Sequence, residues 1–260
     1  MYLRRFFGDL TKYRKYLVYS AKASLKSEVA GSYLAWLWWI LEPFCFMLIY
    51  KFIAETVFQR NLPSAALFVF LGITVWNFFN KNISASAMLL KHNKGIITKI
   101  YLPKYLLCIK QILVNGFKMV ISLAICFVLA LYYRIILDWH IILIIPSLIM
   151  LVLNTFGFGC LVMHFGVYIQ DLSNIVRIAL RLVFYLSGVF YNIGTLKPYG
   201  PLLLNINPVA LAMEGCRNAL MFGKEPDWVM LGIWTAVGIV TSVLGIMVVY
   251  KNENNYGKIL

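Results

Sequence analysis

The stretch Ser27–Phe44 reads "SEVAGSYLAWLWWILEPF" and marks the point where a polar, basic segment becomes strongly apolar. Three tryptophans fall within four positions, and the acid–proline pair Glu42-Pro43 follows them. Tryptophan rings favour the boundary between membrane and water, so this composition is typical of the start of a membrane-spanning helix. The stretch therefore predicts that an apolar helix enters a membrane here, and it raises the question of what an embedded carboxylate does.

The rest of the chain has the composition of a membrane protein. Of its 260 residues, 62% are hydrophobic and 13% are charged, whereas soluble domains are about 45–50% apolar and about 25% charged. The apolar residues come in runs of the length that a hydrocarbon layer of roughly 30 Å requires. We predict an all-α integral membrane protein with six transmembrane helices, at about 33–57, 65–90, 107–132, 141–167, 175–194 and 229–250.

The basic residues predict the orientation of these spans. They are concentrated before the first span, between spans two and three, after span four and in the C-terminal tail. By the positive-inside rule, both termini are expected in the cytoplasm, as an even number of spans requires. The net charge of +14 is thereby explained by topology, which argues against nucleic acid as a partner. We expect one transmembrane domain over 1–260, with a cytoplasmic segment (1–32), a six-span region (33–250) and a cytoplasmic tail (251–260).

Two segments outside the long apolar runs have helical patterns. Residues 2–19 carry apolar side chains at helical spacing with Arg and Lys between them, which predicts an amphipathic helix in the cytoplasmic interface or, alternatively, a solvated helix. Residues 195–228 contain four prolines and are too short for two spans, so we predict outer re-entrant or interfacial helices between spans five and six. Asn207-Pro208 is the expected start of one such helix and Gly223 its expected end.

Several polar residues lie inside the predicted spans. An acid at the depth of Glu42 is costly against lipid, so it either faces a polar cavity or subunit seam, or is paired with another side chain. In the second span, Asn77, Asn80, Lys81 and Asn82 must face protein or water for the same reason. The following loop, Lys91–Tyr105, is long enough for a short helix and is either a topology determinant or a docking element for a cytoplasmic partner.

Residue patterns typical of enzymatic sites are rare in this sequence. The chain has no GxxxxGK[ST] phosphate-binding loop, and its ten acidic residues form no close pair suited to acid–base catalysis. Asp138-Trp139-His140 is the nearest candidate, a trio of residue types that a membrane acyltransferase can use, but it fits a short polar loop with a boundary tryptophan better. Cysteines and histidines show no metal-ligand spacing. We expect no catalytic site, no metal and no cofactor in this chain.

Six segments in order resemble a known family: "YRKYLVYSAKASLKSEVAGSYLAWLWWILEPFCFMLIY", "FLGITVWNFF", "NKGIITKIYLPKYL", "YIQDLSNIVRIALRLVFYLSGVFY", "NPVALAMEGCRNAL" and "ENNYGKIL". Together they resemble the ABC-2-type permeases that export O-antigen, teichoic acid or capsular polysaccharide. The resemblance covers nearly the whole chain. It implies a homodimer in the bacterial plasma membrane that works with two copies of a separate ATPase, which binds ATP and Mg. The implied substrate is a lipid-linked polysaccharide. An exporter of a drug or small lipid is the alternative, followed by a membrane-embedded glycosyl- or acyltransferase.

The resemblance also implies roles for particular residues. Contact with the ATPase is expected first from the loop after span two and then from the next inner loop, at Lys91, His92, Asn93, Lys94, Ile97, Lys99, Asp171, Ser173 and Asn174. Spans one and five of opposite subunits are expected to line the channel, at Trp36, Trp39, Glu42, Phe184, Tyr185, Phe190 and Tyr191. Ordinary helix packing is the alternative role for these aromatic residues. Lys22 and Lys26 either attract the pyrophosphate of a lipid carrier or serve topology alone.

Overall fold

The computed structural model describes residues 2–30, 35–52, 64–97, 99, 101–196 and 198–259. Throughout these residues the backbone forms helices joined by turns and short extended segments, with no β-strand. The predicted all-α class is confirmed. The α-helices are α1 (Tyr2–Lys12), α2 (Arg14–Val29), α3 (Ala35–Phe52), α4 (Ala65–Ser86), α5 (Leu89–His92), α6 (Lys94–Ile97), α7 (Tyr105–Tyr132), α8 (Ile144–Tyr168), α9 (Leu172–Leu186), α10 (Gly200–Ile206), α11 (Pro208–Arg217), α12 (Trp228–Lys251) and α13 (Glu253–Ile259).

Four helical segments among the described residues are long and apolar enough to cross a membrane. They are Ala65–Ser86, Tyr105–Tyr132, Trp139–Tyr168 and Trp228–Lys251, and they match predicted spans two, three, four and six. The third of them begins with a 3-10 turn, Trp139–Leu143, that leads into α8. α3 is the described part of predicted span one, and the remainder of 33–57 lies outside the described residues.

The fifth predicted span is shorter in the structure than in the sequence analysis. α9 ends at Leu186, whereas an apolar run to residue 194 was expected. The cause is Gly188, whose φ of +64° places a left-handed residue directly after the helix end, the conformation in which helices commonly stop. Phe190 and Tyr191 therefore lie beyond the helix and not on it.

The N-terminal segment also differs from its prediction. Instead of one helix over residues 2–19 it forms α1 and α2, separated at Tyr13. α1 contacts the end of α12, and α2 packs along α7. The terminal helices α1 and α13 consequently lie at one end of the bundle, which we call the terminal end; the other is the opposite end.

The core is organised around α4. This helix is buried on most of its surface and packs against α3, α7, α8, α9 and α11. Beside it, α8 and α12 form a close pair, because Gly157 and Gly245 allow the two backbones to approach. A Cβ atom at Gly157 would lie 2.4 Å from Oγ1 of Thr241, and one at Gly245 would lie 2.7 Å from Cβ of Cys160. Small residues at such contacts are typical of helix pairs in membranes.

The proline-containing segment at the opposite end forms α10 and α11 and packs inward. The Asn207 side chain accepts hydrogen bonds from the backbone N–H groups of Val209 and Ala210 at 3.0 and 3.3 Å and so caps α11. Gly223, with φ of +56°, ends the helical turn Asn218–Phe222 that continues from α11. Both predicted boundaries are confirmed. α11 is buried against α4 and α8.

Candidate functional site

Glu42 is paired with a lysine of the neighbouring helix. Its Oε2 lies 3.1 Å from Nζ of Lys81, which joins α3 to α4, and the two side chains are 46% and 41% exposed. Both residues are predicted to be costly against lipid, and their mutual pairing compensates that cost for each. Of the two roles considered for Glu42, the structure therefore shows pairing, and the pair also borders a cavity.

That cavity has a volume of about 40 Å³ and lies between α3, α4 and α7. A second ion pair, between Lys118 and Glu28, stands beside it, and Nζ of Lys118 lies 5.5 Å from the centre of the Trp39 ring. Its lining consists largely of polar and aromatic residues: Trp39, Glu42, Thr74, Asn77, Phe78, Lys81, Asn115, Lys118, Met119 and Ser122. α3 is thus attached to the bundle by polar contacts within an otherwise apolar layer.

The Glu42–Lys81 pair can be tested by a double-mutant cycle. We expect Glu42→Gln, Lys81→Met and the double variant to show a coupling energy of about 1 kcal/mol, since polar pairs in membrane proteins contribute at that level. Thermal unfolding of the four purified proteins measures it. A cycle of Glu42→Gln with Lys118→Met is the matched control, because both residues line the cavity but Lys118 pairs with Glu28. Equal coupling in the two cycles would contradict the assigned pair.

The aromatic residues of the predicted channel form two separate groups. Trp39 packs edge-on against Phe117, with ring centres 6.2 Å apart, on the α7 side of α3. Phe184 instead packs against Trp76, Tyr185 and Phe190, at 5.2, 5.4 and 5.3 Å between ring centres. The backbone of Trp36 lies in α3, but its side chain is outside the described part of the structure.

Within the second group, the rings differ in their exposure. Phe184 is partly buried in the core, so packing accounts for it, whereas Tyr185 is 62% exposed. The Tyr191 hydroxyl donates to the backbone carbonyl of Tyr185 at 2.6 Å, which holds the turn after α9 against the helix. Tyr185 is therefore the ring of this group with the most accessible face.

A groove beside this aromatic group contains two arginines that the sequence analysis had used only for topology. Its volume is about 310 Å³. We call it the arginine groove, and it is lined by Trp76, Asn80, Arg177, Arg181, Phe184 and Tyr185. The signal in the sequence was the spacing: Arg177, Arg181 and Tyr185 are four residues apart and so share one face of a helix.

The loop after α4 lies at the terminal end and forms the two short helices α5 and α6, where one short helix was predicted. Ile97 is buried in the core there, whereas His92, Lys94, Ile96 and Lys99 are exposed. Lys91 and Asn93 are half-buried, and the Asn93 side chain donates to the carbonyl of Leu89 at 2.7 Å. Asp171 and Asn174 are exposed at the start of α9, at the same end. Ile97 thus holds the loop in place, and its neighbours provide the accessible surface.

A polar network at the terminal end was missed by the sequence analysis. Oδ2 of Asp9 accepts hydrogen bonds from the hydroxyls of Tyr105 and Tyr250, at 3.2 and 2.6 Å. Arg5 donates to the hydroxyl of Tyr101, which donates to Oε2 of Glu253 at 3.2 Å. Burial raises the pKa of the Glu253 carboxyl. The network ties α1 to the start of α7, the end of α12 and α13.

The Asp138-Trp139-His140 trio has a structural role. Oδ1 of Asp138 accepts from the backbone N–H of Trp139 at 2.7 Å and caps the 3-10 turn. Its Oδ2 lies 2.9 Å from Nδ1 of His140. Both carboxylate oxygens of Asp138 therefore contact residues of its own turn. These contacts are those of a polar loop between two spans, and they explain the trio without a catalytic role.

In comparisons with known proteins, this chain is similar to one transporter family and to several transport proteins. The profile of the family described as ABC-2 type transporter matches residues 17–222. The O-antigen export system permease protein RfbA of Myxococcus xanthus is 27% identical over 91% of this chain and 92% of its own length. A protein of the same description from Klebsiella pneumoniae is 25% identical over 94% of both chains. The polysialic acid transport protein KpsM of Escherichia coli is 23% identical over 85% of this chain and 86% of its own.

Proposed function

This chain belongs to the ABC-2 type transporter family, and on that premise we propose that it is the membrane permease of a polysaccharide exporter. The observation that carries the proposal is the similarity along nearly the full length to permeases of O-antigen export and to a polysialic acid transport protein. The apolar helices support a multi-pass membrane protein. Transport, and not catalysis, is its proposed activity.

We extend the proposal to six spans with both termini in the cytoplasm. α3 and α9 would supply the first and fifth spans beside the four long apolar helices. The terminal end carries the basic N-terminal helices and the basic loop after α4, which supports its assignment to the cytoplasmic side of a bacterial plasma membrane. The opposite end, with α10 and α11, would then face outward, where these helices would be the outer re-entrant pair.

The energy source in this proposal is a separate ATPase, in two copies per permease homodimer. The chain has no phosphate-binding loop of its own. Its proposed docking surface is the terminal-end group formed by His92, Lys94, Ile96, Lys99, Asp171 and Asn174, which are exposed in the structure. The cargo would be a lipid-linked polysaccharide that passes along α3 and α9 of the two subunits, with Tyr185 offering an aromatic face.

Gene deletion tests the function itself. Cells without this chain should lose surface polysaccharide and accumulate the polymer inside, and expression of the chain should restore export. Affinity purification from native membranes should also recover a protein with a nucleotide-binding motif. Surface polysaccharide that is unchanged by the deletion would contradict the proposal.

The docking surface can be tested with exposed residues of the loop. The double variant Ile96→Ser/Lys99→Ser should reduce polysaccharide export and permease-stimulated ATP hydrolysis by about tenfold, because a contact that holds the ATPase loses one apolar and one charged group. The matched control is Ile136→Ser/Lys224→Ser, which removes the same two side-chain types from exposed positions at the opposite end. Similar ATPase stimulation in both double variants would remove this loop from the docking surface.

A further inference from the structure

The arginine groove contains two guanidinium groups that have no anionic partner in the described part of the chain. Arg177 and Arg181 are exposed, and neither takes part in an ion pair or a hydrogen bond there. By contrast, Lys81 of α4 is paired with Glu42, and Lys118 of α7 is paired with Glu28. The groove is thus a local concentration of uncompensated positive charge.

The position of these arginines makes their charge unusual. Counted at about 1.5 Å per residue, Arg181 lies about 13 Å along α9 from Leu172. The exposed face around them is apolar, with Ile175, Ile178 and Leu182. A charge in such surroundings is costly unless an opposite charge or water compensates it. Topology requires basic residues at the ends of a helix, and it does not account for a pair that extends to this depth and lines a groove.

The geometry of the pair suits a phosphorylated ligand. Residues four apart on a helix have Cβ atoms about 5–6 Å from each other, so the two planar guanidiniums can engage two neighbouring phosphate groups. Arginine binds phosphate by two parallel hydrogen bonds and is preferred at such sites. Asn80, on α4, adds an amide donor to the lining of the groove. A diphosphate matches this arrangement better than a single phosphate does.

The groove also offers a surface for a sugar ring next to the phosphates. Tyr185 lies one helical turn beyond Arg181, and its ring is largely exposed. Aromatic rings supply flat apolar area at a low conformational entropy cost, since two side-chain torsions fix them. A glycan attached to a diphosphate would therefore find its first sugar against Tyr185, on the side toward the opposite end.

We propose that the arginine groove binds the diphosphate of a lipid-linked glycan, with Arg177 and Arg181 on the two phosphates and Tyr185 against the first sugar. This inference rests on the proposed function and names the part of the cargo that the permease recognises. Besides lining the path of the polysaccharide, α9 would then take part in selecting the substrate.

Binding to the full-length protein in lipid nanodiscs tests the inference. The probes are a polyprenyl diphosphate, the corresponding monophosphate, phosphatidylglycerol and inorganic pyrophosphate. We expect the diphosphate lipid to bind at least tenfold more tightly than the monophosphate or phosphatidylglycerol, and inorganic pyrophosphate to compete with it. Arg177→Gln/Arg181→Gln should weaken its binding by about 100-fold, because each charge-assisted contact accounts for about tenfold. Arg134→Gln/Lys224→Gln, which removes two exposed charges at the opposite end, is the matched control.

The outcomes separate this inference from the function it rests on. Equal binding of phosphatidylglycerol would show that the groove attracts any acidic lipid, and unchanged diphosphate binding in the double Gln variant would assign the arginines to topology; either result overturns the inference. Normal export by the double Gln variant would also overturn it while the proposed function stands. If gene deletion leaves surface polysaccharide unchanged, the proposed function fails, whatever the groove binds.

Discussion

Replacing Arg217 by methionine should lower the apparent melting temperature of the purified protein by about 6–12 °C. Its guanidinium is 1% exposed and donates to the carbonyls of Phe68, Gly188 and Val189, at distances of 2.8–3.3 Å. Hydrogen bonds to a charged group contribute about 1.5–3 kcal/mol each, but an apolar replacement also removes the cost of desolvating the buried guanidinium. We therefore expect a net loss of about 3 kcal/mol, less than the sum of the three contacts. A loss of that size shifts melting by about 2–4 °C per kcal/mol in a protein of this length.

Two further variants sharpen this prediction. Arg217→Lys keeps the charge but cannot reach three carbonyls at once, so its melting temperature should fall between those of the wild type and Arg217→Met. Lys224→Ala, which removes an exposed cation at the same end, should have little effect. Gly72→Ala should also destabilise the protein, because a Cβ there would lie 2.5 Å from Nη2 of Arg217. Melting of Arg217→Met at the temperature of Lys224→Ala would contradict the assigned contacts.

Replacing Asp9 by alanine should raise the rate of tryptic cleavage in the N-terminal helices by about 10- to 100-fold. The Asp9 carboxylate is the shared acceptor for Tyr105 and Tyr250, both of which are buried. Losing two hydrogen bonds to a charged group favours local opening of α1, and proteolysis follows the population of the open form when reclosing is fast. Cleavage after Arg14 and Lys15, followed by mass spectrometry, measures the opening.

The control for this experiment is another acid that holds a helix. Asp227 caps α12 by accepting from the backbone N–H groups of Val229 and Met230, both at 3.1 Å, at the opposite end. Asp227→Ala also removes two hydrogen bonds but should leave the cleavage rate after Arg14 and Lys15 unchanged. If the two variants are cleaved equally fast, the network at the terminal end does not hold α1.

The sequence predicted the local features of the fold and missed those that depend on distant partners. Asn207-Pro208 and Gly223 mark helix ends by their own backbone chemistry, and both boundaries were confirmed. The end of α9 at Leu186 was not predicted, because the apolar run continues past it and the single glycine at position 188 was given no weight. Arg217 received no role from the sequence, because nothing in the neighbouring residues reveals that it is buried and bonded to distant carbonyls.

In the candidate site, too, single residues could be recognised from the sequence, whereas their distant partners could not. Glu42 and Lys81 were each recognised as needing a partner, yet their pairing across 39 positions is visible only in the structure. Asp9 and Glu253 lie in polar terminal segments, where an acid is unremarkable, and their role comes from tyrosines at the ends of distant spans. The regular spacing of Arg177, Arg181 and Tyr185 was present in the sequence and required only a comparison of helix faces.

The attachment of α9 has a mechanical consequence. Just beyond its final turn, the Ser187 hydroxyl accepts a hydrogen bond from Asn207 at 2.8 Å, and Arg217 holds the next two carbonyls. The other tip of α9, near Asp171, has no side-chain cap among the described residues, so a rotation of the helix about its fixed end would displace that tip most. We therefore expect distances measured by spin labels during turnover to vary most at that tip and least beside Ser187.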